Sequence, residues 1–187
     1  MMQSPALTIF TIGHSTRPLE EFAEMLKEQG VGLVVDVRTV PRSRHNPQYN
    51  DDVLGRALSE NGISYEHMPG LGGLRHAKKD SLNVGWENTS FRGFADYMQT
   101  TGFAESLQQL INRARTVPTA IMCAEAVPWR CHRSLIGDAL VVRGIAVKNL
   151  IGKGSAREHS LTPWARVEGE RITYPESKQT QGRKQST

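Results

Sequence analysis

Short apolar runs rich in β-branched residues alternate along this chain with stretches in which apolar residues recur every three or four positions. The first pattern predicts buried strands and the second amphipathic helices. Leu7 to Ile12 is the first strand run, ended by Gly13-His14-Ser15. Leu19, Phe22, Ala23 and Leu26 follow at helical spacing, with Pro18 in the first turn and Gly30 as the terminator. Val31 to Val37 is the second strand run. A loop rich in Arg, Pro and Asn leads to Asn50, the expected cap of a helix carrying Val53, Leu54, Ala57 and Leu58 that closes at Asn61-Gly62.

Ile63 to Met68 is the third strand run. After Pro69-Gly70-Leu71-Gly72-Gly73 comes a long basic connection, Leu74 to Ser90, and connections of that length are often functional. Two helices follow, the first over Phe91 to Met98 and the second carrying Phe103, Leu107, Leu110, Ile111 and Ala114. Thr119 to Cys123 is the fourth strand run. A turn with Pro128 precedes a helix beginning near Cys131, with Leu135, Ile136, Ala139 and Leu140 on its apolar face. Gly144 closes that helix, and Ile145 to Ile151 is the fifth strand run. Alternating strands and helices predict right-handed crossovers. The fold class is therefore α/β: a three-layer, mostly parallel sheet of about five strands with helices on both faces. Residues 1–175 form a single α/β domain, and 176–187 a polar, disordered tail.

Composition narrows the setting. Hydrophobic residues make up 38% of the 187 positions, and no apolar run approaches the ~20 residues of a spanning helix. Met1 to Phe10 lacks the pattern of a secretory signal, and two cysteines are too few for a disulfide framework, so reduced thiols and a cytoplasmic location are expected. The net charge is +4, half of it from the tail after Tyr174-Pro175, so the position of the basic residues matters more than their sum.

In open parallel sheets, ligands bind beyond the carboxyl ends of the strands, and the unusual residues of this chain fall there. Strand one ends in His14 and Ser15. Strand two ends in Asp36 and Arg38, with Ser43 and Arg44 beyond, and strand three in Gly72 and Gly73. Strand four ends in Cys123 and Glu125, followed by Arg130, Cys131, His132 and Arg133, and strand five precedes His159. A helix start near Cys131 favours a bound anion and a lowered thiol pKa. Arg130 and Arg133 offer bidentate contacts to phosphate or carboxylate. Cys131 and His132 are neighbours, but adjacent residues on a helix point about 100° apart. Glu125 reads either as a general base or as a partner that holds Arg38 or Arg133 in place. Asp36 and Arg38 share one side of their strand, Arg38 reading as an anion contact or as half of an ion pair. Cys123 reads as a reactive thiol or a small core residue, and His14 as a ligand contact or a hydrogen-bonded structural residue.

Cys123, Glu125, Cys131, His132, His14 and His159 are possible metal donors, but with no C-x-x-C pair and no H-x-x-x-H no resident metal is expected, and the cofactor is open. Arg42, Arg44, His45, Arg75, His76, Lys78 and Lys79 lie on loops near Trp86, Phe91, Trp129 and Trp164. That mixture suits a nucleotide or a single strand.

Thr11-Ile12-Gly13-His14-Ser15, Val35-Asp36-Val37-Arg38, Leu71-Gly72-Gly73, and above all Cys123-Ala124-Glu125 with Cys131-His132-Arg133 resemble the domain-of-unknown-function 488 family. His159 with Leu161-Thr162-Pro163 fits that family's closing segment. The resemblance transfers no activity. It implies that His14, Asp36, Arg38, Cys123, Glu125, Cys131, His132 and Arg133 share one site. A more distant similarity to rhodanese-like sulfurtransferases stays at the level of layout, because Glu125 and Pro128 occupy the turn where those proteins carry a loop of small residues. Two readings follow. One is an enzyme-like domain binding a phosphate-containing anion, with Cys131, His132, Glu125 and Cys123 as the catalytic candidates. The other is a non-catalytic nucleic-acid-binding or accessory module. The expected partner is a small anionic ligand or nucleic acid, with no membrane, and the oligomeric state is open.

Overall fold

The structure, a computed structural model, describes residues 7–176. The expected tail from residue 177 onward lies outside the described residues. Strands β1 (Thr8–Gly13), β2 (Leu33–Asp36), β3 (Ser64–His67), β4 (Thr119–Cys123) and β5 (Ala146–Gly152) form the parallel sheet. Helices α1 (Leu19–Glu28), α2 (Asp51–Glu60), α3 (Thr89–Tyr97), α4 (Thr101–Thr116) and α5 (Arg133–Val142) connect them. Two features lie beyond the expected pattern. Strand β6 (Ser155–Glu158) adds antiparallel to β5, and β7 (Arg166–Glu168) and β8 (Arg171–Thr173) make a separate hairpin. Neither shows an apolar run. Their turns contain Gly154 and Gly169, each at positive φ, where a side chain would be strained.

The sheet order is β3-β2-β4-β1-β5-β6. Side-chain alternation splits the core into two layers. Ile12, Val34, Ala120 and Met122 face Phe22 and Leu26 of α1 and Leu54 and Leu58 of α2. Ile9, Val35, Ile121 and Cys123 face α3, α4 and α5 through Phe94, Leu107, Leu135 and Ile136. Strands β1 and β4 are neighbours, yet β1 feeds a helix of one layer and β4 a helix of the other. Such a switch point opens a crevice at the carboxyl ends of its two strands.

The long connection is held rather than loose. Buried Asp96 of α3 accepts hydrogen bonds from Lys78 N (2.8 Å), Ser81 Oγ (2.6 Å) and Asn83 Nδ2 (2.7 Å). Asn83 Oδ1 in turn accepts from Tyr174 N (2.9 Å), which ties the loop to the C-terminal segment. Trp86 and Trp164, expected as stacking surfaces, pack against each other with ring centroids 5.1 Å apart. Trp129 alone of the three tryptophans is largely exposed. Asn50 precedes α2 as expected, but its side chain accepts from Ser43 N (2.8 Å) instead of capping the helix. Among the described residues no helix is long and apolar enough to cross a membrane.

Candidate functional site

The ladder between β1 and β4 continues past the strands: His14 N donates to Cys123 O (3.0 Å) and Ser15 N to Ala124 O (2.9 Å). This close approach requires Gly13, where an added Cβ would fall 1.7 Å from Glu125 O. The tips of β1, β2 and β4 are thereby drawn together around a cavity of about 500 Å³. It is lined by His14 and Arg38, by Ser43 and Gly73, and by Cys123, Glu125, Arg130, Cys131 and His132. Thr39, Arg42, Asn88, Ser90 and Phe91 also contribute to the wall.

On the α1–α2 side, Asp36 is fully buried and Arg38 nearly so. Arg38 Nε lies 2.9 Å and Nη2 2.6 Å from the two carboxylate oxygens, and Asp36 also accepts from Tyr65 Oη (2.7 Å) and Arg38 N (3.0 Å). Nη2 donates further to Tyr49 O (2.8 Å). Burial opposes the Arg38 charge, but Asp36 more than offsets it and raises the guanidinium pKa. Arg38 is therefore chiefly half of a buried ion pair, with Nη1 left toward His14 Nε2 at 3.4 Å. His14 donates from Nδ1 to Ser15 O (2.8 Å) and stacks on Tyr49 with centroids 4.2 Å apart. Burial, helped by the charge of Arg38 and against the Ser15 hydrogen bond, lowers its pKa to about 4. His14 is thus a neutral imidazole at pH 7 that keeps Nε2 as an acceptor.

On the α5 side, Arg133 is 1% exposed. Its Nε lies 2.9 Å from Cys123 Sγ, Nη1 3.2 Å from Thr11 Oγ1 and Nη2 2.6 Å from Glu125 O. The expected contact of Arg133 with a ligand gives way to one with sulfur. Glu125 holds Arg133 through its carbonyl, while its exposed carboxylate stands at the cavity lip. The helix begins at Arg133, with His132 as N-cap and Cys131 extended before it (φ −138°, ψ 148°). That two-residue offset matters. Because Cys131 is not helical, its side chain meets that of His132: Sγ is 3.5 Å from Nδ1, and Nε2 is held by Val37 O at 3.0 Å. Gly73 gives the ring room, since a Cβ there would come within 2.5 Å of Nδ1.

The two sulfurs lie 2.6 Å apart, both free thiols and both buried. Burial raises the Cys131 pKa, but hydrogen bonds from Cys123 and His132 and the positive charges of His132 and Arg133 outweigh it and hold the thiol well below its ordinary value. For Cys123, burial and its hydrogen bond to Cys131 outweigh the charge of Arg133 and push the thiol well up. The two thiols are thus shifted in opposite directions, Cys131 toward the thiolate and Cys123 toward the thiol.

Four expected site residues lie elsewhere. Ser15, at φ 47°, and exposed Arg44 stand outside the cavity wall. Gly72 is buried against Thr39. His159 lines a separate cavity of about 370 Å³. Its Nε2 is 2.8 Å from buried Asp138, which also accepts from Thr162 N (3.1 Å) and Tyr174 Oη (2.8 Å), so it clasps the C-terminal segment onto α5. Arg75, expected on the basic surface, is turned inward over the Tyr97 ring. Tyr49, Tyr65 and Thr11 support the site without having been expected there. Thr11 and Asn149, bonded at 2.7 Å, were visible as polar residues inside apolar strands. Among the described residues no group of three or more His, Cys, Asp and Glu converges as a metal site.

The chain matches the family described as Domain of unknown function DUF488 over residues 18–140, a span holding every residue of the cavity except His14. No curated protein and no solved structure matches it.

Proposed function

The chain belongs to the DUF488 family, whose description assigns no activity, and from the site itself we propose an enzyme that binds a phosphate-containing anion, of nucleotide or nucleic-acid type, over the Cys131 thiolate. The observation that carries this reading is the meeting of the Cys131 thiol, its histidine partner 3.5 Å away and a cationic rim on one cavity. Arg130 is exposed at the lip, and Arg42 is held only loosely, 3.7 Å from Asp51. Both are available to an anion in a way that Arg38 and Arg133 are not. A volume of about 500 Å³ accommodates a nucleotide-sized ligand.

In this reading Cys131 is the nucleophile, and His132 Nδ1 exchanges the thiol proton while Val37 O fixes the ring. Glu125, solvated at the lip, serves as acid or base toward a leaving group. Arg133, Thr11 and Cys123 are positioning residues beneath. The basic loops favour the accessory-module reading less, because Arg75 is engaged over the Tyr97 ring and Trp86 and Trp164 pack edge to face against each other.

Alkylation of Cys131 by anionic iodoacetate and neutral iodoacetamide, followed against pH, tests the proposal. The expected midpoint lies below the ~8.5 of a free cysteine. Iodoacetate should gain relative to a free thiol, and inorganic phosphate or a nucleoside monophosphate should protect. Gly73→Ala, which displaces the His132 ring, should raise the midpoint. An ordinary midpoint without protection by either anion would overturn the proposal. Ordinary thiols together with steeply salt-dependent oligonucleotide binding would replace it with the accessory module.

A further inference from the structure

The anion pocket gives the second thiol only a positioning role, and its contact with Cys131 asks for more. Cys123 is 3% exposed, makes no part of the cationic rim, and still places its sulfur 2.6 Å from that of Cys131. Bond formation needs the sulfurs to close by only about half an ångström, to ~2.05 Å. Both residues stand on fixed backbone. Cys123 is the last residue of β4, paired with Gly13 of β1. Cys131 N donates to Pro128 O (3.0 Å), and Cys131 O accepts from Ser134 N (3.0 Å) and Ser134 Oγ (3.0 Å). The two thiols also differ in kind. Both line the cavity, but Cys131 faces His132, whereas Cys123 stands against the Arg133 guanidinium, 2.9 Å away.

We propose that Cys123 and Cys131 form a dithiol centre that reduces hydroperoxides, Cys131 attacking and Cys123 resolving. The Cys131 thiolate attacks the terminal peroxide oxygen. An S–O bond forms, the O–O bond breaks, and the departing alkoxide takes a proton to leave as an alcohol (water, for hydrogen peroxide). Cys131 is now a sulfenic acid. The Cys123 sulfur attacks it, the S–S bond forms, the S–O bond breaks, and hydroxide leaves with the Cys123 proton as water. Two thiols and one hydroperoxide thus yield one disulfide, one alcohol and one water. A low-molecular-weight thiol then restores the centre by exchange. It attacks the Cys131 sulfur from the cavity and expels Cys123 as a thiolate beside Arg133, whose charge stabilises that leaving group. A second molecule of the thiol releases Cys131 and forms the low-molecular-weight disulfide.

The arrangement also protects Cys131. A sulfenic acid with a thiol in contact condenses before further oxidation, whereas an isolated one proceeds to the irreversible sulfinic acid. The proposal shares Cys131 with the anion pocket but does not need its ligand, so each can fail alone.

The test uses the full chain, reduced and then treated with hydrogen peroxide, quenched with N-ethylmaleimide and weighed intact. The wild type should lose the mass of two hydrogens, accept no maleimide, give a linked Cys123–Cys131 peptide and recover both thiols in glutathione. Cys123→Ser should hold a sulfenic acid at residue 131 that dimedone captures, and Cys131→Ser should give neither product. Peroxide consumption with glutathione should fall to the rate of glutathione alone in Cys131→Ser. Should a variant fail to fold, the wild-type mass decides. Oxygen addition without a linked peptide, or thiols that survive peroxide unchanged, would overturn the dithiol centre. Phosphate protection of the reduced protein against alkylation would meanwhile report separately on the anion pocket.

Discussion

Acidification below neutral pH should weaken the fold through His14. Its ring is 1% exposed, stacked on Tyr49 and facing Arg38 Nη1, so a proton on Nε2 would add a charge that the site cannot solvate. The drop from 6.5 to about 4 corresponds to about 3 kcal/mol at ~1.4 kcal/mol per pH unit. The sign follows from proton uptake. Above pH 6.5 both folded and unfolded chains hold a neutral imidazole, and the contribution is complete. Between 6.5 and about 4 the unfolded chain takes up the proton and the folded chain does not, so stability falls with pH. About 2.5 kcal/mol should be gone by pH ~4.5, a sizeable share of a typical stability of about 5–15 kcal/mol. Urea unfolding at pH ~7.5 and ~4.5 measures the loss, with His14→Asn as reference because its amide still donates to Ser15 O. Carboxylate titration acts on both proteins and cancels in the difference. The variant should start less stable yet lose about 2–3 kcal/mol less on acidification. Parallel losses in the two proteins, or an NMR titration of the His14 ring with its midpoint near 6.5, would refute the reasoning.

Three further outcomes follow from the packing. Asp36→Asn leaves the Arg38 guanidinium buried without its carboxylate and should destabilise the protein by about 3–5 kcal/mol in urea, whereas Tyr65→Phe, which removes one hydrogen bond to the same carboxylate, should cost about 1 kcal/mol. His159→Gln should lower stability by about 1–2 kcal/mol through the Asp138 clasp while leaving the pH midpoint of Cys131 alkylation unchanged; a moved midpoint would return His159 to the site.

The C-terminal segment shows why some of the fold was illegible in the sequence. Strand β6 is a short polar segment that exists because β5 offers it an edge, and the β7–β8 hairpin is held in part by Ile172, a lone apolar residue buried in the core layer shared by α3, α4 and α5. The placement of His159 was misread for a related reason. It does follow a strand end, but the strand it follows leads back antiparallel along β5 and carries it to Asp138 on α5.

The strand and helix runs, their terminating glycines and the collection of polar residues at strand ends follow from local patterns: period, turn chemistry and side-chain alternation act between near neighbours. So the α/β class, the parallel sheet and the gathering of His14, Cys123 and Cys131 at one end of the sheet could be expected from the chain alone. Tertiary structure decided the roles. Which strands are adjacent determines that β1 and β4 diverge to opposite layers and open the crevice. A helix start displaced to Arg133 turns a Cys–His neighbour pair into a contact. The ion pair of Arg38 and the sulfur contacts of Arg133 depend on which groups burial leaves as their nearest partners. Charge interactions act through space, and the distances between residues far apart in sequence exist only once the chain has folded.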